Sequence, residues 1–335
     1  MRGTRLEEVP AARWDALLAS IGVRDVYYSQ GYVEASAILV GGEPLLLRLA
    51  HGEGDVVLAG LLRSDPRDVV APYGYGGPVT RGSAAAGRAF AAAYDRWCQE
   101  RGIVSSFVVF HPLLGNAGTE ACAGFRRTDL AGTVAWRLGP TDLLAGMHAH
   151  HRRVVRRAQR NGLEATIEAA PRDLEAFVSL YEATMRRAGA APFYHFAQPY
   201  WEGLLRHVPL VRVEVRREGE LLGSVLGMGR PPWLHYHLGA TADAGRAAGA
   251  SHLALYALAR WGQANGYETL HLGGGVGGRA DSLLAFKLRF APGGRLPAAL
   301  GKAVHLPADY LRLSGSAAVD WDGFFPAYRR PRQPA

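Results

Sequence analysis

The chain has 335 residues, 48% of them hydrophobic and 20% charged, with 42 Gly and 19 Pro scattered along it. That exceeds one domain of about 100–200 residues and excludes a disordered or fibrous chain, so two packed domains are expected. The formal charge of +8 favours a polyanionic partner, whether a nucleic acid, a membrane surface or a phosphate-rich coenzyme. The two cysteines, Cys98 and Cys122, are too few for a disulfide scaffold or a zinc site of about four ligands, and no metal is expected. No run of about 18 apolar residues occurs, and the N-terminal stretch carries the acids Glu7, Glu8 and Asp15 where a signal peptide would carry its apolar run, so a cytoplasmic protein with no membrane span is expected.

In chain order, the first clear element is a hairpin over 44–62, two β-rich runs joined at Glu53-Gly54. A helix through Trp97 and a strand follow. The segment 141–189 reads as two helices, one ending near Asn161-Gly162 and one opening after Pro171 with Asp173 and Glu175 in its first turn. A second hairpin spans 209–227, with Glu218-Gly219 at its turn. Next come a strand (Trp233 to Gly239), a loop carrying Arg246 and Gly249, and a helix capped by Ser251 and stopped by Gly266. A strand ending at Leu272 runs into glycines, and a short helix starts near Asp281, a good N-cap. The tail from about residue 305 lacks strong periodicity; its Trp321, Phe324, Phe325 and Tyr328 are expected to pack back on a domain.

The chain repeats itself. R-W-x-Q-x-x-G occurs around Trp97 and again around Trp261, an offset of 261 − 97 = 164 residues, and the two hairpins align at nearly the same offset. Each copy reads hairpin, further strand, helix, strand. The expected fold is therefore α/β with two tandem domains, 1–140 and 141–304, each with a mixed, mostly antiparallel sheet, and a tail 305–335 packing back on the first.

Three constellations in the second copy can carry chemistry. In 271–294 the glycines Gly273, Gly274, Gly275 and Gly278 either close a tight loop or let a ligand approach the backbone. Lys287, set among Leu283, Leu284, Phe286, Leu288 and Phe290, either snorkels to water or meets an anion. At 246–251, R-x-x-G-x-S (Arg246, Gly249, Ser251) precedes a helix start, where free N–H groups attract anions. It resembles the loop with which GNAT acyltransferases hold the coenzyme A pyrophosphate. Arg152, Arg153, Arg156, Arg157 and Arg160 recur at helical spacing, with Val154 and Val155 partly opposite. They form either a solvated face or a row for nucleic-acid phosphates. His235 and His237 flank Tyr236 and are expected to share a strand face, without further ligands for zinc. H-E-x-x-H and G-x-S-x-G are missing, so an enzyme here would act by positioning and by stabilising developing charge.

Together these residues resemble the Fem (FemABX) family of aminoacyl-tRNA-dependent transferases, which contain two GNAT-like domains. The likeness is carried by the Arg-rich helix with Met185 to Arg187, by Tyr194 to Tyr200 (with His195), and by L-G-G-G…D-S-L-L-A-F-K at 272–287. It implies transfer of an amino acid from aminoacyl-tRNA, a co-substrate rather than a cofactor, onto the amine of a small molecule or peptide. By the same likeness Phe286 and Lys287 fall on the family's F-K pair at the reaction centre, and Tyr194 and His195 join the substrate-binding set; Tyr236, on the strand before Arg246, is a further candidate for that set. The Lys and Arg with which some members hold a cell-wall precursor have no counterpart at 29–36 and 190–195, which favours a natural-product acceptor over peptidoglycan. The alternatives are an acyl-CoA-dependent N-acyltransferase and a non-enzymatic nucleic-acid-binding protein.

Overall fold

The computed structural model describes residues 6–52, 54–139 and 142–330. The chain divides into two compact units: unit 1 comprises residues up to Leu130 and from Pro297 on, and unit 2 is the continuous stretch Ala131–Leu296.

Unit 1 opens with β1 (Glu7–Glu8), α1 (Trp14–Ser20) and α2 (Gln30–Val40). The first hairpin forms as β2 (Glu43–His51) and β3 (Gly54–Arg63), paired from Glu43 opposite Leu62 to His51 opposite Gly54. Glu53, expected at its turn, lies outside the described residues. β4 (Asp68–Val70) and β5 (Val79–Arg81) both pair with β3. Ser83 caps α3 (Ala84–Glu100), which buries Phe90, Tyr94, Trp97 and Cys98 at helical spacing. β6 (Ser105–Val109) then runs parallel to β4, and β7 (Arg126–Asp129) ends the first segment.

Unit 2 begins with β8 (Thr133–Arg137), α4 (Leu143–Gly146) and α5 (Ala149–Arg160). A strand, β9 (Glu164–Ala169), separates α5 from α6 (Glu175–Arg187), where only two helices were expected. β9 is an edge strand pairing with β10 alone and mostly exposed, so it lacks the apolar alternation that reveals a half-buried strand. After α7 (Gln198–His207) the second hairpin forms as β10 (Leu210–Arg217) and β11 (Glu220–Arg230). Glu218 and Gly219 both have positive φ at its turn, as a tight two-residue hairpin requires. β12 (Trp233–Thr241), α8 (Asp243–Ala248), α9 (Ala250–Ala264), β13 (Thr269–Gly274), α10 (Ser282–Leu288) and β14 (Arg295–Leu296) complete the unit. The chain then returns to unit 1 for β15 (Ala299–Val304) and α11 (Pro307–Ser314).

Among the described residues both sheets are mixed and mostly antiparallel, with parallel ladders at β4–β6 and β12–β13. In each unit a helix carries the chain from one parallel strand to the other, α3 in unit 1 and α9 in unit 2. The shared motif has a physical explanation. Its glycines, Gly102 and Gly266, have φ of +65° and +77°, and the next amide closes back onto the helix in both copies. Ile103 donates to Cys98 at 2.8 Å and Tyr267 to Gly262 at 3.0 Å, the Schellman closure that ends a helix at a left-handed glycine.

The domain boundaries differ from those expected. Residues 140 and 141 lie outside the described residues, and the observed divisions are Leu130/Ala131 and Leu296/Pro297. The reason is an exchange of strands. β8 pairs antiparallel with β13 of unit 2, whereas β15, which follows unit 2 in sequence, pairs with β6 and β7 of unit 1. Residues 305–330 also belong to unit 1: Tyr310 and Phe325 pack with Val104 and Phe107, while Tyr328 and Arg329 bond Asp68 at 3.2 and 3.1 Å.

Candidate functional site

In unit 2, β12 and β13 pair only over Trp233–His235 against Thr269–His271. Beyond that, β12 continues along β11 to Thr241 and β13 along β8 to Gly274. The two parallel strands thus part at their C-terminal ends, where open α/β sheets admit ligands. A bulge sharpens the divergence: Leu226 faces Leu238 and Gly227 faces Tyr236, leaving His237 as the extra residue. His235 and His237 therefore turn to different partners rather than forming the shared face expected. His235 meets His271, with Nδ1 atoms 3.4 Å apart, and His237 Nε2 lies 2.7 Å from the Tyr200 hydroxyl.

The glycines after β13 shape the rim. Gly273 has φ +73°, and a Cβ on Gly275 would collide with the Arg279 carbonyl and the Asp281 carboxylate. Asp281 caps α10 by accepting from Leu284 N at 2.9 Å, and it also accepts from Val276 N at 2.8 Å. These amides hold its carboxyl below the ordinary value. The cap orients α10 so that Lys287 is 7% exposed. Its ammonium donates to the Gly274 carbonyl at 2.7 Å and stands 5.5 Å from the centre of the Tyr236 ring. Burial lowers Lys287 to about 8, against the opposing pull of Asp281, so it is still mostly an ammonium at neutral pH. Burial raises Tyr236 to about 12, which keeps it a neutral phenol.

Lys287, Tyr236, Gly273, Gly274 and Gly275 are thus gathered where the strands part. Phe286 faces the other way: its ring stands 5.1 and 5.0 Å from the rings of His151 and His252, and its carbonyl is 3.0 Å from His151 Nε2. Burial lowers His151 to about 4 and His252 to about 3.

On α5, Val154, Val155 and Ala158 are buried while Arg153, Arg156, Arg157 and Arg160 are exposed. With His150 and Val154 these four arginines line an open hollow of about 500 Å³. Arg152 leaves the row, being half-buried with its guanidinium bonded to the Ala145 and Met147 carbonyls.

The segment 246–251 departs from its expected form. Arg246 lies exposed on a helix, α8, not in a loop, since the Ala-rich run with Asp243 in its first turn favours helix. α9 begins at Ala250 with left-handed Gly249 as its N-cap, and Ser251 lies inside the first turn, bonded to Thr241 Oγ1 at 2.6 Å. A Cβ on Gly249 would stand 2.7 Å from a Val154 methyl, so α5 closes over the start of α9. Tyr194 and His195 are tied to α6, the first through its carbonyl to the Tyr181 hydroxyl at 3.0 Å, the second to Glu182 at 2.8 Å. Of that segment it is Tyr200, through His237, that reaches β12 next to Tyr236. Tyr200 and the pair His151/His252 are groupings that sequence reasoning did not make; Tyr200 lay inside the segment that carried the family likeness, and His252 has no local signal.

Residues 147–281 match the acetyltransferase (GNAT) domain family. This is a protein of tandem GNAT-like architecture. Its likeness to the Fem family holds in the fold: the chain superposes on FemX with a TM-score of 0.66 at 15% identity, covering 92% of this chain and 99% of that one. The structure of L-PGS from Bacillus licheniformis is similar at TM-score 0.57 and 15% identity, covering 89% and 93%. So is the C-terminal domain of a putative lysylphosphatidylglycerol synthetase from Agrobacterium fabrum, at 0.56 and 18%, covering 90% and 94%. No curated protein matches the chain in sequence. Among the described residues no helix is long and apolar enough to cross a membrane.

Proposed function

We propose that this chain is an aminoacyl-tRNA-dependent transferase that forms an amide bond between an amino acid and an amine acceptor, a peptide or a small natural product. The observation that carries the reading is Lys287: a buried ammonium fixed where two parallel strands part, in a fold shared with FemX. In the reaction the acceptor amine attacks the ester carbonyl of the charged tRNA. The C–N bond forms, the C–O bond to the terminal ribose breaks, and the amine proton passes to the departing ribose oxygen or to water. Lys287 stabilises the negative charge that develops on the carbonyl oxygen, a preorganised contact of the kind whose removal typically slows catalysis about 10²–10³-fold. The exposed arginines of α5 supply contacts for tRNA phosphates.

The rival donor, an acyl-CoA, is disfavoured by α8 and by the closure of α5 over the start of α9, which occupy the segment where R-x-x-G-x-S would form a pyrophosphate loop. The test is a transfer assay with a mixed pool of charged tRNAs and candidate amines. We expect amide product that disappears on RNase treatment and falls at least about 100-fold in Lys287→Ala. Product formed from acyl-CoA and indifferent to RNase would overturn the tRNA reading. Tight RNA binding without transfer to any amine would leave a binding protein instead.

A further inference from the structure

His150 and His151, in the first turn of α5, and His252, near the start of α9, bring one ring nitrogen each within 4.8 Å of one another. The rings of His151 and His252 lie 4.3 Å apart and nearly perpendicular. The Phe286 carbonyl, 3.0 Å from His151 Nε2, can only accept, so Nε2 carries the proton and Nδ1 presents its lone pair. That Nδ1 is buried and meets no hydrogen-bond partner among the described residues, and the same holds for His252 Nε2. Two buried polar atoms without partners, on rings whose centres lie 4.3 Å apart, are rare in a folded chain and call for a further group to satisfy them. His148 takes no part, because its Nδ1 accepts from the His150 amide and caps α5.

From this geometry we infer that His150, His151 and His252 form a site for a divalent transition-metal ion of the zinc class, with buried His151 and half-buried His252 as its inner ligands and His150 closing it from the solvent side. A backbone carbonyl orienting the far nitrogen of a ligating histidine is the usual support of such a ligand, and the Phe286 carbonyl fills that role. Zn–N bonds of about 2.0–2.1 Å place tetrahedral ligand nitrogens about 3.4 Å apart. Exposed His150 can close the remaining gap by a change of side-chain torsion. Three imidazoles leave the fourth position to water, and the ion would join the starts of α5 and α9 to the backbone of Phe286, the residue before Lys287. The inference does not depend on the proposed transfer reaction.

The test is calorimetric titration of the full, tag-free, chelator-treated chain with Zn²⁺, repeated with Co²⁺, whose visible absorption reports low-coordinate nitrogen ligation. We expect one ion per chain, weakened on the order of 100-fold in His252→Gln and clearly weakened in His150→Ala. Absence of binding, or binding unchanged in both variants, would overturn the site. Should His252→Gln fail to fold by circular dichroism, His150→Ala, an exposed position, decides the question alone.

Discussion

Lys287 is under two opposed demands. Its titration near 8 in the folded chain, against an ordinary 10.5, means that the folded state binds fewer protons between those values. Stability therefore rises with pH through that window; the full penalty of the buried charge is present below about 8 and is gone above about 10.5. At about 1.4 kcal/mol per pH unit that penalty is roughly 3 kcal/mol, partly offset by a charged hydrogen bond worth about 1.5–3 kcal/mol. We therefore expect Lys287→Met to leave the free energy of unfolding at pH 7, measured by urea titration, unchanged or raise it by up to about 2 kcal/mol, while transfer collapses. The wild-type transfer rate should fall as pH rises through about 8, opposite to the trend in stability; a rate that climbs through that range would mean that the neutral amine is the working form. The residue was legible in sequence because a lysine flanked by Leu284, Phe286 and Leu288 contradicts its surroundings. His252 was not, because its partner His151 is 252 − 151 = 101 residues away and only the packing of α5 on α9 joins them.

At the scale of elements, α5 is an amphipathic helix whose buried valines fix the direction of four exposed arginines. If these meet tRNA phosphates, each neutralised phosphate adds about 0.7–0.9 to the slope of log affinity against log salt. Replacing Arg153, Arg156 and Arg157 together by Gln should flatten that slope by about 2–3, measured by filter binding across a salt series. An unchanged slope would remove the row from the tRNA interface. Arg152 shows how far periodicity carries: the spacing assigned it to the row, but the carbonyls of Ala145 and Met147 left by the end of α4 capture its guanidinium. The hairpins and the Gly-terminated helices were readable because their signals are local, φ-permissive turn residues and helical spacing. β9 and α8 were not, one an edge strand with few buried side chains, the other a helix in a stretch whose glycines suggested a loop. Gly245 stays within α8 because its missing side chain lets the helix approach the Leu222 carbonyl.

For the whole molecule, duplication was visible in the paired motifs, but the exchange of strands was not, since no local pattern records which sheet a strand will join. Unit 2 is an insertion into unit 1. Leu130 N donates to the Ala298 carbonyl at 2.8 Å, so the two segments of unit 1 meet at the point where unit 2 leaves and returns. The ends of unit 2 also meet, Thr133 pairing with Leu296. A fragment Ala131–Leu296 should therefore fold alone and unfold cooperatively in urea. One cut at residue 141 should not, because it lacks β8, the neighbour of β13 and β14. Equal stability of the two fragments would show that β8 contributes little.

The same insertion fixes an order of assembly during synthesis. A chain emerging from the ribosome at about 5–20 residues per second ordinarily completes its first domain first. Here β6 waits for β15, so the first-made sheet cannot close until residue 304 has been translated. The later-made unit is complete once residue 296 has emerged. Until then β6 presents an open strand edge, the kind of surface that invites mispairing, and slowing translation within unit 2 should raise aggregation of the nascent chain more than slowing it after residue 304.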